Sequence, residues 1–450
     1  MNTRTLKGAK GITLVALIIT IIVLLILAMV SIALVMNSGI IDKSKTAVDK
    51  YSQEEIQEQI KLAYSEWQMG QYSGVTEDAP TFVKNKLNSI YGAGTVTNVT
   101  AENGVLTVEL ANGKTYTYNV ATGVASKVKT VAEYPEATPG QANNDENTKY
   151  TSDNKTAVIP KGYTLDATQN SIDNGLVISK DGNEWVWIPV NNADFIAMFG
   201  TANDDGWTMS GTGTNGIEAV ITKYKTTGTQ SRGNPGTTDY REPDVLNSGS
   251  YDKNATNLSN ARLGSNIGEA ATKLRDDYKA MIDSVKKNGG FYVGRYELSS
   301  AGTKKKQASL TSTNWYNLYK ACKNIDNAGV ETRMIWGCQW DKVCNFIHTS
   351  GDQVNLTNSA SYGNCKDSTV DGHGSKRVTG YSDIWKANNI YDIAGNCFEW
   401  TQEAGYAGDR AVRGGYYYHN GDRYPVTYRS SYYPTYADSF ISSRPTLYIK

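Results

Sequence analysis

The chain has 450 residues, with Lys plus Arg and Asp plus Glu equal at 45 each, so no bulk charge points to nucleic acid. Tyr is abundant at 30 and Phe scarce at 7, which suggests short strands, irregular loops and a contact-rich surface. Five cysteines (Cys322, Cys338, Cys344, Cys365 and Cys397) form no CxxC pair, and their odd number leaves at least one thiol unpaired within the chain.

The first element is the apolar run from Gly11 to Val35, broken only by Thr13, Thr20 and Ser31. About 24 residues at roughly 1.5 Å each reach about 36 Å, enough to cross a bilayer core. Arg4, Lys7 and Lys10 precede it with no acid among them, which predicts a cytoplasmic amino end and the bulk of the chain outside. The helix is predicted to continue to about Met69, with Ile56, Ile60, Ala63 and Trp67 as an apolar stripe on a charged helix. A short helix from Pro80 comes next, then three strands with turns at Asn103-Gly104 and Asn112-Gly113. These would give the stripe its partner.

Val131 to Thr156 is polar, holds two prolines and lacks apolar periodicity, so it reads as a linker. Asn174 to Val190 reads as strand, turn and strand around Asp181-Gly182. Asp194 to Asn260 is rich in Gly, Thr, Asn and Ser and reads as long loops. Glu269 to Lys287 has helical spacing through Ala270, Leu274, Tyr278, Met281, Ile282 and Val285. Gly289 to Ser299 reads as a strand, Trp315 to Asn324 and Trp340 to Ile347 as short helices, and Gly351 to Lys376 as loop.

Two resemblances organise these elements. A basic leader, then glycine, then an apolar helix resembles the type IV pilin and pseudopilin signal. That likeness implies cleavage by a prepilin peptidase between Gly11 and Ile12 and methylation of the new amino end. Ala16 stands where that family usually has a glutamate, which leaves a minor pilin, a pseudopilin or a simple anchor. Further on, IPV, GGFYVGRYELS, RMIWGCQWDKVCNFI, NIYDIAGNCFEWT, VRGG and the closing SSRP occur in one order. Together they resemble the formylglycine-generating-enzyme (sulfatase-modifying-factor) family, whose fold is a C-type-lectin-like α+β domain.

The second resemblance implies a structural calcium ion, with Asp392 and Glu399 supplying side-chain oxygens and Gly395 and Cys397 supplying carbonyls. Catalytic members hold copper on two cysteines after the RGG motif; here Arg413-Gly414-Gly415 is present but Tyr416 to Lys450 contains no cysteine. His348, His373 and His419 show no iron-binding spacing. Neither copper nor iron is therefore expected, and no catalytic residue is assigned. Beyond Gly415 the chain carries Tyr416, Tyr417, Tyr418, His419, Asn420, Asp422, Tyr424, Tyr428, Tyr432, Tyr433 and Tyr436, a paratope-like composition expected to bind a ligand. The same stretch is where retroelement-diversified C-type-lectin-like proteins carry their variable residues.

The expected fold class is α+β: a long N-terminal transmembrane or pilin helix with a small antiparallel sheet, then an irregular C-type-lectin-like domain. The expected divisions are a leader at 1–11, a pilin-like part at 12–130 spanning the membrane at 12–35, a linker at 131–157 and a second domain at 158–450. The expected protein is single-pass and membrane-anchored, a minor pilin whose outer domain binds an extracellular protein or glycan. Its further partners would be prepilin peptidase and pilin-type assembly subunits. A surface-anchored formylglycine-type oxidase and a purely structural pilin subunit are the competing readings.

Overall fold

The computed structural model describes residues 40–199, 255–404 and 409–450. The chain divides into two compact units, residues 1–129 and 130–450.

In the first unit, helix α1 (Ile40–Gln71) is followed by α2 (Ala79–Tyr91) and four strands, β1 (Val96–Glu102), β2 (Val105–Leu110), β3 (Thr115–Asn119) and β4 (Val124–Lys127). The strands form one sheet in chain order. Asn103 and Gly104 both take positive φ, the two-residue turn whose twist matches antiparallel strands. Asp78 caps α2 by accepting from the Thr81 amide at 2.8 Å, and Pro80 sits in the first turn where its missing N–H costs nothing. Ile60 and Ala63 of the α1 stripe are buried with Val83, Leu87, Leu106, Val108 and Tyr116, while Ile56 is half-buried against them. The sheet has one strand more than the three expected.

The expected fold class needs correction. Among the described residues no helix is long and apolar enough to cross a membrane. Helix α1 carries Glu54, Glu55, Glu58, Lys61 and Glu66, charges that are costly in lipid. The apolar run Gly11–Val35 lies outside the described residues. The long pilin helix and the single-pass anchoring that rested on it are therefore not features of the described fold, which has seven α-helices among its described residues and is otherwise mostly strand and loop.

The second unit begins with a hairpin, β5 (Thr148–Ser152) and β6 (Lys155–Ile159), turning at Asp153 and Asn154, both with positive φ. Residues 131–157 are not the expected linker: Tyr134 and Ala157 are buried there, in one cluster with Val158 and Trp185. Next come β7 (Thr164–Leu165), β8 (Val177–Lys180), β9 (Asn183–Pro189), α3 (Asn192–Phe199), α4 (Ala255–Asn260), α5 (Ile267–Asn288) and β10 (Gly290–Gly294). After these lie α6 (Trp315–Lys323), β11 (Val330–Met334), α7 (Gly337–Thr349), β12 (Lys386–Ala387), β13 (Ile390–Tyr391), β14 (Phe398–Ala404), β15 (Arg410–Arg413), β16 (Arg429–Tyr432), β17 (Ile441–Ser443) and β18 (Pro445–Ile449).

A six-stranded sheet, β11-β18-β10-β9-β8-β7, is buried on both faces. Trp185, Trp187, Tyr292, Leu447 and Ile449 face one apolar cluster. Their alternates Val186, Ile188, Phe291, Val293 and Tyr448 face another. The period of two sorts side chains between the faces, so a strand with both faces covered reads as a continuous apolar run. Helix α5 lays Ala270, Leu274, Tyr278, Met281, Ile282 and Val285 on the second cluster. Its ends are set by the Asn266 side chain, accepting from the Glu269 amide, and by Gly289 in the left-handed conformation. A second sheet, β16-β15-β14-β17, carries the candidate site.

Candidate functional site

The site rests on the turn into β14. Gly395 and Asn396 both take positive φ. A Cβ at Gly395 would overlap the Asn364 carbonyl oxygen, so only glycine fits. Asn396 is fully buried and donates to Glu297 at 2.7 Å, while its side-chain oxygen accepts from Asn364 and from the Arg377 amide. The Cys397 amide donates to the other oxygen of Glu297 at 3.0 Å. Glu399 is held on both oxygens by Arg444, at 2.9 and 2.6 Å. The same guanidinium donates to the carbonyls of Gly294 and Tyr391. The closing SSRP segment is thus tied by its arginine to β10, β13 and β14.

Asp392 completes this buried group. One of its oxygens accepts from the Gly380 amide at 2.8 Å, and the other is buried with no partner. Burial raises all three carboxyls, Glu297 and Glu399 to about 7 and Asp392 to about 8. The carboxylates Glu297 and Glu399 each raise a neighbour further, while Arg444 opposes the rise. Of the carboxylate oxygens expected to hold calcium, both of Glu399 are already taken, while one of Asp392 is not. The cation beside Glu399 is already a guanidinium that takes both of its oxygens. Among the described residues no group of three or more His, Cys, Asp or Glu side chains is placed to hold a metal. Of the positions expected as ligands, Asp392, Gly395, Cys397 and Glu399 instead build the turn and its hydrogen bonds.

None of the five cysteines forms a disulfide and all are buried, and burial raises the thiols of Cys322, Cys344, Cys365 and Cys397. A buried thiol held protonated is a poor nucleophile and a poor soft-metal ligand.

A second polar layer lies beside the first. Arg413 reaches Asp341 at 2.5 Å and Glu403 at 3.3 Å, and Arg429 reaches Glu403 at 3.0 Å. All four groups are buried, and α7, β14, β15 and β16 each supply one. Gly414 and Gly415 come next, with φ of 86° and 72°. A Cβ on Gly415 would lie 2.5 Å from the Tyr424 carbonyl oxygen. The RGG sequence therefore anchors through its arginine and turns through its glycines, launching the chain onto the surface.

Residues 416–428 are irregular and held by the loop at 359–367. The Lys366 amide donates to the His419 carbonyl, the Gly421 amide to Asp367, the Ser359 amide to the Gly421 carbonyl, and the Val426 amide to the Ser359 hydroxyl. The rings above form a pavement. Tyr416 stacks on Phe440 at 4.5 Å and lies 5.2 Å from Phe398. His419 lies between Tyr416 and Tyr424, at 4.0 and 3.6 Å. Burial, with a smaller push from Arg423, drives its imidazole down to about 4, so it is neutral at pH 7. Tyr432 stacks on Tyr436 and meets Trp400 edge-on.

None of the eight tyrosines from Tyr416 to Tyr436 is fully buried. Tyr418 is 59% exposed and Tyr433 41%, and Asn420 and Asp422 also face solvent. The structure thus brings the expected ligand-binding residues onto one segment, with Tyr416, Tyr428, Tyr432 and Tyr436 resting partly on the core. Sequence reasoning missed Phe398 and Phe440, which support the rings. It also missed Lys366, whose ammonium lies 4.9 Å over the Tyr418 ring, and Asp438, which accepts from the Tyr436 hydroxyl. Asp438 and Phe440 lie two and four residues beyond Tyr436 and could have been found by reading on; Phe398 comes from β14 and Lys366 from a distant loop. The expected cleavage point Gly11-Ile12 lies outside the described residues.

No family model and no curated protein matches the chain. Among solved structures, the Major Tropism Determinant U1 variant matches at 12% identity and a TM-score of 0.27, covering 78% of this chain and 84% of that one. Treponema denticola variable protein 1 matches at 14% identity and a TM-score of 0.21, covering 67% and 98%. The crystal structure of CarF matches at 13% identity and a TM-score of 0.25, covering 36% and 87%. Likenesses at these TM-scores are between loosely similar chain paths and place the protein in no family.

Proposed function

We propose that the second unit is a ligand-binding module of adhesin or receptor-binding type, with residues 416–436 as its contact surface. The observation that carries this reading is the contrast in burial across Gly415. Arg413 and its carboxylate partners are buried, while every tyrosine from Tyr416 to Tyr436 keeps part of its ring accessible. Half-buried tyrosines lose little freedom on binding and present broad rigid faces with one polar tip. Their partner is a protein or a glycan, since aromatic platforms serve both.

A surface of this kind accepts exchange of its outer side chains without disturbing the layer beneath. Retroelement diversification would leave gene copies that differ within 416–436 and agree at Arg413, Gly414 and Gly415.

The module is read as non-catalytic, because the copper-holding thiols of the resembled family have no counterpart after Gly415. The test is twofold. The purified chain is screened on protein and glycan arrays, and it is incubated with a sulfatase-type cysteine peptide and added copper. Specific binding without peptide turnover is the expected result; turnover to formylglycine would replace this reading with an oxidase.

A further inference from the structure

A different exposed face of the second unit takes no part in the aromatic segment. Two loops zip together to make it. The Lys306 amide donates to the Thr379 carbonyl at 2.7 Å, the Thr379 amide donates to the Gln307 carbonyl at 2.8 Å, and the Thr379 hydroxyl donates to the Lys304 carbonyl at 2.6 Å. Three consecutive lysines, Lys304, Lys305 and Lys306, are thereby set beside Arg377 and Lys386. Lys305 and Lys386 both stand over the Tyr391 ring, at 5.1 and 5.6 Å. Against these five cations stand Asp383, which pairs with Lys305 at 3.3 Å, Asp181, in the turn that approaches Lys304, and Asp371, next to the Gly372 carbonyl that accepts from Arg377. In a chain with equal numbers of acids and bases, this is a strong local excess of positive charge.

The same loop exposes apolar side chains. Val378 is 40% exposed, Tyr381 47% and Ile384 58%, three large hydrophobic residues within seven positions. The Arg377 guanidinium lies 5.1 Å over the Tyr381 ring, which stacks on buried Trp385 at 5.5 Å. Single exposed apolar residues need no explanation, but three on one short loop beside several cations do.

We propose that this face docks an acidic, apolar peptide segment of a partner protein. Carboxylates of the segment would pair with the five cations, and its aliphatic side chains would cover Val378, Tyr381 and Ile384. Charge complementarity selects an acidic partner and steers its approach. The apolar residues select among acidic partners: a sulfated polysaccharide, a nucleic acid or polyglutamate carries no aliphatic surface to place on them. The inference is independent of the ligand bound at residues 416–436.

The test is fluorescence anisotropy of the full chain with a labelled peptide of alternating glutamate and leucine. Polyglutamate, heparin and phosphatidylserine vesicles serve as competitors. The peptide is expected to bind, to weaken as salt is raised, and to outcompete polyglutamate at equal charge. Lys304→Glu with Lys305→Glu and Lys306→Glu is expected to weaken it about tenfold or more. Ile384→Ser should weaken it roughly fivefold through lost apolar contact. If the triple variant unfolds, the exposed single change Lys306→Glu still reports, with a smaller loss. Equal binding of polyglutamate and the mixed peptide, preference for heparin or vesicles, or binding unchanged by these substitutions would overturn the proposal.

Discussion

The two sides of Gly415 are built on opposite rules. Beneath it, buried carboxyls are held by buried arginines, Glu399 by Arg444, and Asp341 and Glu403 by Arg413 and Arg429, or by amide donors, as Glu297 and Asp392 are. Beyond it, tyrosines stack on one another and on two phenylalanines, each keeping a share of its ring in solvent. Buried ion pairs are intolerant of change, because removing one partner strands the other in a medium that cannot solvate it. Stacked half-exposed rings make weaker contacts that survive the loss of a neighbour.

The largest expected effect comes from breaking the support. Arg444→Leu leaves Glu399 buried without its cation and removes the link from β14 to the Gly294 and Tyr391 carbonyls. Chemical denaturation should register a loss of about 3–5 kcal/mol. A loss as small as that of a surface substitution would show that the buried pairs do not organise the unit.

The launch point comes next. Gly415→Ala adds a Cβ at a positive φ and against the Tyr424 carbonyl. It should cost about 1–3 kcal/mol and should shift the near-ultraviolet signal of the tyrosine segment. An unchanged melt and spectrum would mean that the turn is not constrained.

Acid and base should separate the two layers. The imidazole of His419 is held down to about 4 in the folded chain, below its ordinary 6.5. The stabilisation of the neutral ring is complete above about 6.5 and is lost as pH falls towards 4. The raised carboxyls Glu297 and Glu399 act in the other direction. Their contribution is complete below about 4.5 and is lost as pH rises through about 7. The spectrum of the tyrosine segment should therefore respond as pH falls through about 4, where the folded-state imidazole takes up its proton, and His419→Phe should abolish that response. A response retained in the variant would assign it to another group.

The smallest expected effect is at the rim. Tyr418→Ala and Tyr433→Ala should change stability by no more than about 0.5 kcal/mol, since these are the two most exposed tyrosines of the segment. A larger loss would mean that the pavement is part of the core.

Much of the fold is legible wherever a local period governs. The α1 stripe, helix α5 and the turns at Asn103-Gly104 and Asp181-Gly182 follow from residue spacing alone. The β5–β6 hairpin reads as linker because its turn, Asp153-Asn154, joins two short strands that are mostly polar. The apolar run at 11–35 dominates a fold assignment made from the sequence, yet the described fold is organised by strands. The tyrosine segment stands out by composition, so its place on the surface can be anticipated. Its support cannot. Glu399 and Arg444 are 45 residues apart, Asp341 and Arg413 are 72 apart, and neither pairing leaves a periodic trace. A motif reading makes Glu399 a calcium ligand and gives no sign that both of its oxygens accept from the Arg444 guanidinium.

The central claim is that residues 416–436 bind a ligand while the layer beneath only holds them. Binding of the full chain and of its Tyr417→Ala, Tyr424→Ala, Tyr432→Ala triple variant, measured on the same protein and glycan arrays with thermal unfolding recorded for both, tests it most directly. The account predicts that the variant still unfolds cooperatively and loses the binding signal by about tenfold or more. A folded variant that binds as the unaltered chain does would contradict it.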